Sequence, residues 1–185
     1  QNPMDKIVRD HGALAQVIAG LRTNGKSVVL APGAFEVLHP GHVRFLADAS
    51  SRGDYLVIAL EDDASVRRRK GAGRPLQPAA DRAEVVAALP RVHYVTFYSG
   101  EDAGELCARL KPTVVVRGRD VSDKAFPERA AAEKAGVLVA IVGDAKVWST
   151  DRVVAWKSAG AKPAKPGKSA KSATKRPARP ARARA

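Results

Sequence analysis

The chain has one cysteine, one methionine and nine aromatic residues in 185 positions. A lone Cys107 can form neither an intramolecular disulfide nor a multi-cysteine zinc site, which points to a reducing compartment and a cytoplasmic setting. Long hydrophobic runs are missing too. The longest, such as Val137–Val142, reach six residues, far below the ~20 needed to span a bilayer. No secretory leader is evident, because the first apolar residues are mixed with Asp5, Lys6, Arg9 and Asp10. Acids are the other shortage, 19 against 32 basic residues. The apolar fraction of 45% is ordinary for a folded domain, and the length suits one α/β domain with an appendage.

The net charge of +13 is unevenly placed. Residues 157–185 carry ten basic groups and no acid, leaving 22 basic and 19 acidic groups in residues 1–156. After Trp156 no large apolar residue occurs. The stretch 159–185 therefore has nothing to bury and is expected to be disordered. It reads equally as a sequence-blind arm for nucleic acid or another polyanion and as a solubilising extension.

In the body, Leu14, Val17, Ile18 and Leu21 give helical spacing over 11–23, the core of an amino-terminal lead-in covering 1–26. Short apolar strands are predicted at Ser27–Ala31 (ended by Pro32-Gly33), Tyr55–Leu60, Val92–Tyr98, Thr113–Val116 and Val137–Val142. Helices are predicted from Pro40 towards Gly53, at Pro78–Leu89, Glu101–Leu110, Pro127–Ala135 and 150–158, the last capped by Ser149. Residues 61–77 read as a loop that starts acidic and turns basic. Strands without polar alternation, interleaved with helices, predict a five-stranded parallel sheet covered on both faces, an α/β domain over 27–158. Ligands in such folds sit beyond the carboxyl ends of the strands.

Two motifs compete for the phosphate role. Gly20–Ser27 matches GxxxxGK[ST], but a helix precedes it and a strand follows, the reverse of what a phosphate loop requires. It reads as a helix stop. The second is Gly33-Ala34-Phe35-Glu36-Val37-Leu38-His39-Pro40-Gly41-His42, at a strand-to-helix junction. Its glycines admit a ligand close to the backbone, and the new helix aims its positive end at any phosphate there. Two imidazoles three residues apart can donate to phosphate oxygens, more strongly as charge builds at phosphorus. Zinc ligation lacks further ligands at suitable spacing, since His11, His93 and Cys107 are scattered. Helix capping is the other plain reading of the histidines.

The string GAFEVLHPGHVRFL at 33–46 resembles the HxGH element of the cytidylyltransferase-like nucleotidyltransferases. Residues 51–78, with the run KGAGRP, are similar to the second strand and basic loop of bacterial heptose-1-phosphate adenylyltransferases; VVVRGRD at 114–120 and WSTDRVV at 148–154 continue the likeness. The resemblance implies a Rossmann-like doubly wound sheet. It also implies transfer of AMP or CMP from a nucleoside triphosphate to a phosphorylated acceptor such as heptose 1-phosphate, with Mg²⁺ accompanying the ATP or CTP.

By the same resemblance His39, His42 and Lys70 would be catalytic. Gly33, Ala34, Phe35, Pro40, Gly41, Asp120, Trp148, Ser149 and Thr150 would line the nucleotide, and Glu36, Arg74, Arg82, Arg117 and Arg119 would meet the acceptor. Ala31-Pro32-Gly33 replaces the usual Thr-Asn-Gly, Glu36 an Asp, His93 a frequent Asp, and Arg119 a Gly, which leaves acceptor and base open. A glycerol phosphate or other alcohol phosphate is the rival acceptor. A catalytically inactive nucleotide-binding domain acting on nucleic acid through its tail is the rival class. The resemblance leaves a homodimer open and implies no membrane partner.

Overall fold

The computed structural model describes residues 2–100, 103–119, 128–143 and 149–158. Five strands, β1 (Val28–Gly33), β2 (Tyr55–Glu61), β3 (Tyr94–Tyr98), β4 (Val114–Gly118) and β5 (Leu138–Val142), form one parallel sheet in the order β3-β2-β1-β4-β5. Seven helices accompany them among the described residues: α1 (His11–Thr23), α2 (Pro40–Ser50), α3 (Asp63–Lys70), α4 (Ala79–Ala87), α5 (Ala103–Leu110), α6 (Glu128–Lys134) and α7 (Thr150–Ser158). None is long and apolar enough to cross a membrane.

The period-two geometry of the strands sorts their apolar side chains onto two faces. Val29, Ala31, Leu56, Ile58, Leu60 and Val95 pack with Leu46 and Ala49 of α2 and with Ala83, Val86 and Ala87 of α4. Val28, Leu30, Val57, Ala59 and Val115 pack with Leu14 and Ile18 of α1, Leu106, Cys107 and Leu110 of α5, and Ala132 of α6. Both faces are thus covered, which is why these strands read as unbroken apolar runs. The predicted doubly wound α/β fold is the observed one. Burial also pushes the Cys107 thiol up to about 11, which keeps it protonated and inert.

Two expectations need correction. β1 does not end at Pro32-Gly33; it continues through both, opposite Ala59 and Leu60 of β2. Its pairing with β4 comprises Val29↔Val114 and Leu30↔Val115, so the N–H that proline lacks is not needed on that side. Residues 63–70, expected as loop, form α3, and Gly71 at φ +95° ends it. The amino-terminal lead-in is also more than a helix. A 3₁₀ turn at Pro3–Lys6 precedes Ile7, which bridges Val95, while the Val8 N–H donates to Val95 O (2.8 Å) along the edge of β3.

The GxxxxGK[ST] match at Gly20–Ser27 is a helix terminus. α1 stops at Thr23, the Asn24 N–H donates to Gly20 O and the Lys26 N–H to Leu21 O, and Gly25 takes φ +73° before β1 begins. The segment leaves the carboxyl end of α1 and enters β1, the reverse of the strand-to-helix order a phosphate loop requires.

Candidate active site

β1 has β2 on one side and β4 on the other, so the chain reverses winding direction there. At such a switch point the loops at the carboxyl ends part and leave a crevice. The loop leaving β1 carries the His pair into that position. Phe35 follows at φ +44° with its ring 5% exposed, and a Cβ on Gly33 would lie 2.9 Å from Phe35 Cε2. Glycine is needed at 33 because the Phe35 ring folds back over it. Ala34, partly buried, presents its carbonyl to Arg82.

His39 is the N-cap residue of α2 in extended conformation, Pro40 is the first helical residue, and the His42 N–H donates to His39 O (2.9 Å). Gly41 lies between them, partly buried. Residues three apart at a helix start share a face, and the two imidazoles stack with centroids 3.9 Å apart and planes at 24°. The Phe35 ring backs His42 at 5.1 Å and Phe45 at 6.1 Å. Both histidines are half-buried, beside a shallow groove lined by Leu38, His39, Pro40, Val43 and Arg44. The helix dipole favours an anion at this end. The far side of α2 is tied to β5, since the Gly143 N–H donates to Asp48 Oδ2 (2.8 Å).

The loop leaving β1 also carries a carboxylate that was expected to meet the acceptor. Glu36 is 1% exposed. It accepts from Lys70 Nζ (2.9 Å), from Nε and Nη2 of Arg74 (the latter 2.7 Å) and from the Leu76 N–H (2.9 Å). Burial alone would raise its pKa; the hydrogen bonds from Arg74, Lys70 and Leu76, with the Lys70 charge, overcome this and hold it at about 2. Arg74 Nη2 also reaches Asp151 Oδ1 (2.7 Å) in the first turn of α7. Glu36 thus ties the loop after β1 to residues 70–76, and Arg74 extends the tie to the start of α7. A direct contact between Glu36 and an acceptor does not fit this arrangement.

Arg82, also expected to meet the acceptor, is enclosed by backbone and a carboxylate. It is 0% exposed, and its guanidinium donates to Gln77 O (3.1 Å), Ala34 O, Glu61 O (2.9 Å) and Asp63 Oδ1 (2.7 Å). It braces the loop after β1 rather than facing the crevice. Arg117, at the end of β4, ion-pairs with the buried Glu128 of α6 and points Nη1 towards Pro32 O (3.4 Å). The neighbouring Tyr98 hydroxyl is pushed up by burial, with Arg117 pulling the other way. Arg119 is exposed on the turn after β4. Ser149 Oγ accepts from the Arg152 N–H (3.2 Å) as a cap of α7, and Thr150 is buried. Asp120 and Trp148 lie outside the described residues.

Sequence reasoning missed the carboxylates. Glu61, which pairs with Arg69, and Glu128, Asp63 and Asp151 each neutralise a cation at the carboxyl end of the sheet. The Arg74–Asp151 pair spans 77 positions, so no local spacing announces it.

A parallel sheet whose switch point carries a glycine-lined, histidine-bearing strand-to-helix junction defines a nucleotide-binding α/β domain built for phosphate chemistry. Residues 30–163 match the Cytidylyltransferase-like family, and the chain belongs to it, which makes it a nucleotidyltransferase domain. Among its relatives is "Bifunctional protein HldE" of Bradyrhizobium diazoefficiens, 40% identical over 158 residues, 85% of this chain and 32% of that protein. The HldE of Alkalilimnicola ehrlichii is 41% identical over 113 residues, 61% of this chain and 24% of the relative. The chain thus spans about a third or less of the length of these curated relatives. A solved lipopolysaccharide core biosynthesis protein from Thermoplasma volcanium superposes with a TM-score of 0.55 at 27% identity, covering 64% of this chain and 95% of that one.

Proposed function

We propose that the protein transfers AMP from ATP to a sugar 1-phosphate of the heptose 1-phosphate type, releasing pyrophosphate. The observation that carries this reading is the stacked His39–His42 pair at the amino end of α2, at the mouth of β1. The choice of acceptor and base draws on the likeness of 51–78 to heptose-1-phosphate adenylyltransferases and on the 40% identity with an HldE protein.

The reaction is an in-line displacement. A phosphate oxygen of the acceptor forms a bond to the α-phosphorus, and the bond from that phosphorus to the oxygen bridging the β-phosphate breaks. A phosphate monoester is already a competent nucleophile, so no general base is needed. His39 and His42 bind the triphosphate and donate to oxygens that gain charge in the transition state. Gly33, Gly41 and the start of α2 bring backbone N–H groups near the same phosphates. Lys70 and Arg74 supply positive charge from the side of the acceptor, with Arg117 and Arg119 at the end of β4. Ser149 and Thr150, at the start of α7, would meet the nucleotide, a role the resemblance also gives to Asp120 and Trp148.

Magnesium would arrive as part of the substrate, as a Mg²⁺–triphosphate complex whose charge it partly neutralises. Among the described residues no group of three or more His, Cys, Asp or Glu is arranged to hold an ion. The acceptor sites of Glu36 are filled by protein cations and an N–H. A metal carried by the nucleotide fits these described residues.

The decisive experiment incubates the full chain and Mg²⁺ with ATP or CTP and a panel of sugar 1-phosphates, glycerol phosphate and amino-alcohol phosphates, following pyrophosphate release. The reading expects turnover with ATP and an aldose 1-phosphate. Turnover restricted to CTP and glycerol phosphate would replace it with the polyol cytidylyltransferase reading.

A further inference from the structure

Glu36 stands three residues before His39 on the loop that presents the His pair, yet its side chain is fully buried. Four hydrogen bonds from Lys70, Arg74 and Leu76 occupy its two oxygens, about the number of acceptor positions a carboxylate offers. The two cations above it remain partly exposed, Lys70 at 19% and Arg74 at 14%. A buried anion therefore lies under positive groups that show themselves to the solvent. Lys70 uses one of its three N–H donors on Glu36, and the described bonds of Arg74 run through Nε and Nη2, not Nη1.

We infer that Glu36 is a positioning residue: it fixes Lys70 and Arg74, through the loop 71–76, in the orientation that receives the acceptor's phosphate, without touching that acceptor. The inference rests on the phosphoryl-acceptor reading above and deepens it by naming what aligns its cations. Charge and geometry both enter. A neutral group of the same shape would leave two cations side by side without their counter-ion, and an amide nitrogen would face them with a donor. The other charges around the cluster are Asp151, which holds Arg74 from α7, and Arg69, which feels Glu36 at longer range while pairing with Glu61. The carboxylate stays ionised throughout the working range, so it acts as a fixed charge and not as a proton carrier.

The test compares full-length wild type, Glu36→Gln and Glu36→Asp by two readouts. The first is steady-state pyrophosphate release with ATP and the best acceptor. The second is the rate of Lys70 acetylation by acetic anhydride at one fixed pH, followed by mass spectrometry, which requires no turnover. In E36Q the acceptor KM is expected to rise at least about tenfold with a smaller change in the ATP KM, and Lys70 labelling to become faster because its amine is no longer held by the carboxylate. E36D, which keeps the charge one methylene further back, is expected to fall between the other two on both readouts.

An unchanged Lys70 labelling rate in E36Q overturns the assignment, as does a uniform loss of activity with both KM values unaltered, the mark of a purely structural role. A raised acceptor KM without any change in the labelling rate means Glu36 contacts the acceptor itself, which also overturns it. Should E36Q fail to fold, an E36D protein identical to wild type on both readouts does the same. If wild type turns over no acceptor at all, the function proposed above fails while the labelling comparison still decides the role of Glu36.

Discussion

His42 sits where two short-range effects coincide, the positive end of α2 and the stacked ring of His39 at 3.9 Å. Stacking fixes the ring plane, so its donor is held in place before a phosphate arrives, and preorganisation of that kind is what favours a transition state. Removing the ring by His42→Ala is expected to lower turnover by ~10²-fold or more, by analogy with loss of one preorganised donor. Stopped assays of pyrophosphate release on protein with an unaltered circular dichroism spectrum check this; near-normal turnover would remove His42 from the chemistry. This pair was legible in the sequence because a three-residue spacing at a helix start is a local matter. The surroundings of Glu36 were not. Its partners are 34 to 40 positions away, and a carboxylate in a loop beside two histidines looks the same on paper whether it faces ligand or core.

Helix α3 illustrates how much an element can depend on one cap. Its eight residues, DASVRRRK, bury only Ser65 and Val66 and offer no apolar stripe, so periodicity passed over them. What starts the helix is Asp62, whose side chain accepts from the Ser65 N–H at 2.7 Å; Arg67 to Lys70 then complement the dipole in its last turn. Since Lys70 is the final residue, fraying of α3 moves the cation that meets Glu36. Asp62→Ala is expected to cost about 1 kcal/mol, measured by urea unfolding, with faster amide exchange confined to 63–70 and a raised acceptor KM. Exchange unchanged in that segment would show that tertiary contacts, not the cap, hold the helix. The five strands, in contrast, were readable within a few residues because burial on both faces leaves little choice of side chain. β1 was cut short only because Pro32 looked like a stop, and its one-sided pairing there makes it harmless.

At the scale of the molecule, charge is arranged in two unlike parts. In the folded body four of the five described cations expected to meet the substrates, Lys70, Arg74, Arg82 and Arg117, already have a carboxylate partner, while Arg119 is exposed. The Glu36 cluster makes the body sensitive to acid. The carboxylate's folded-state pKa of about 2 lies below the ordinary 4.5, so its stabilisation is complete above about pH 5 and is lost as pH falls towards 2. The loss amounts to roughly 3 kcal/mol. Thermal melts between pH 6 and 2.5 should show a steeper acid decline for wild type than for E36Q, and parallel declines would contradict the pairing. The second part, 157–185, has ten basic groups and no acid. Such a segment neutralises phosphates and releases counterions whatever the base sequence, so duplex DNA should bind the full chain at low salt with log K falling against log salt at a slope no steeper than about −9. Deleting residues 159–185 leaves a body whose charges are nearly balanced, and this truncated chain should lose that binding while releasing pyrophosphate at the full-length rate. Retention of DNA affinity after the deletion would move the contact to the sheet's own cationic loops, where DNA would compete with the triphosphate; a competition experiment with ATP distinguishes the two places directly.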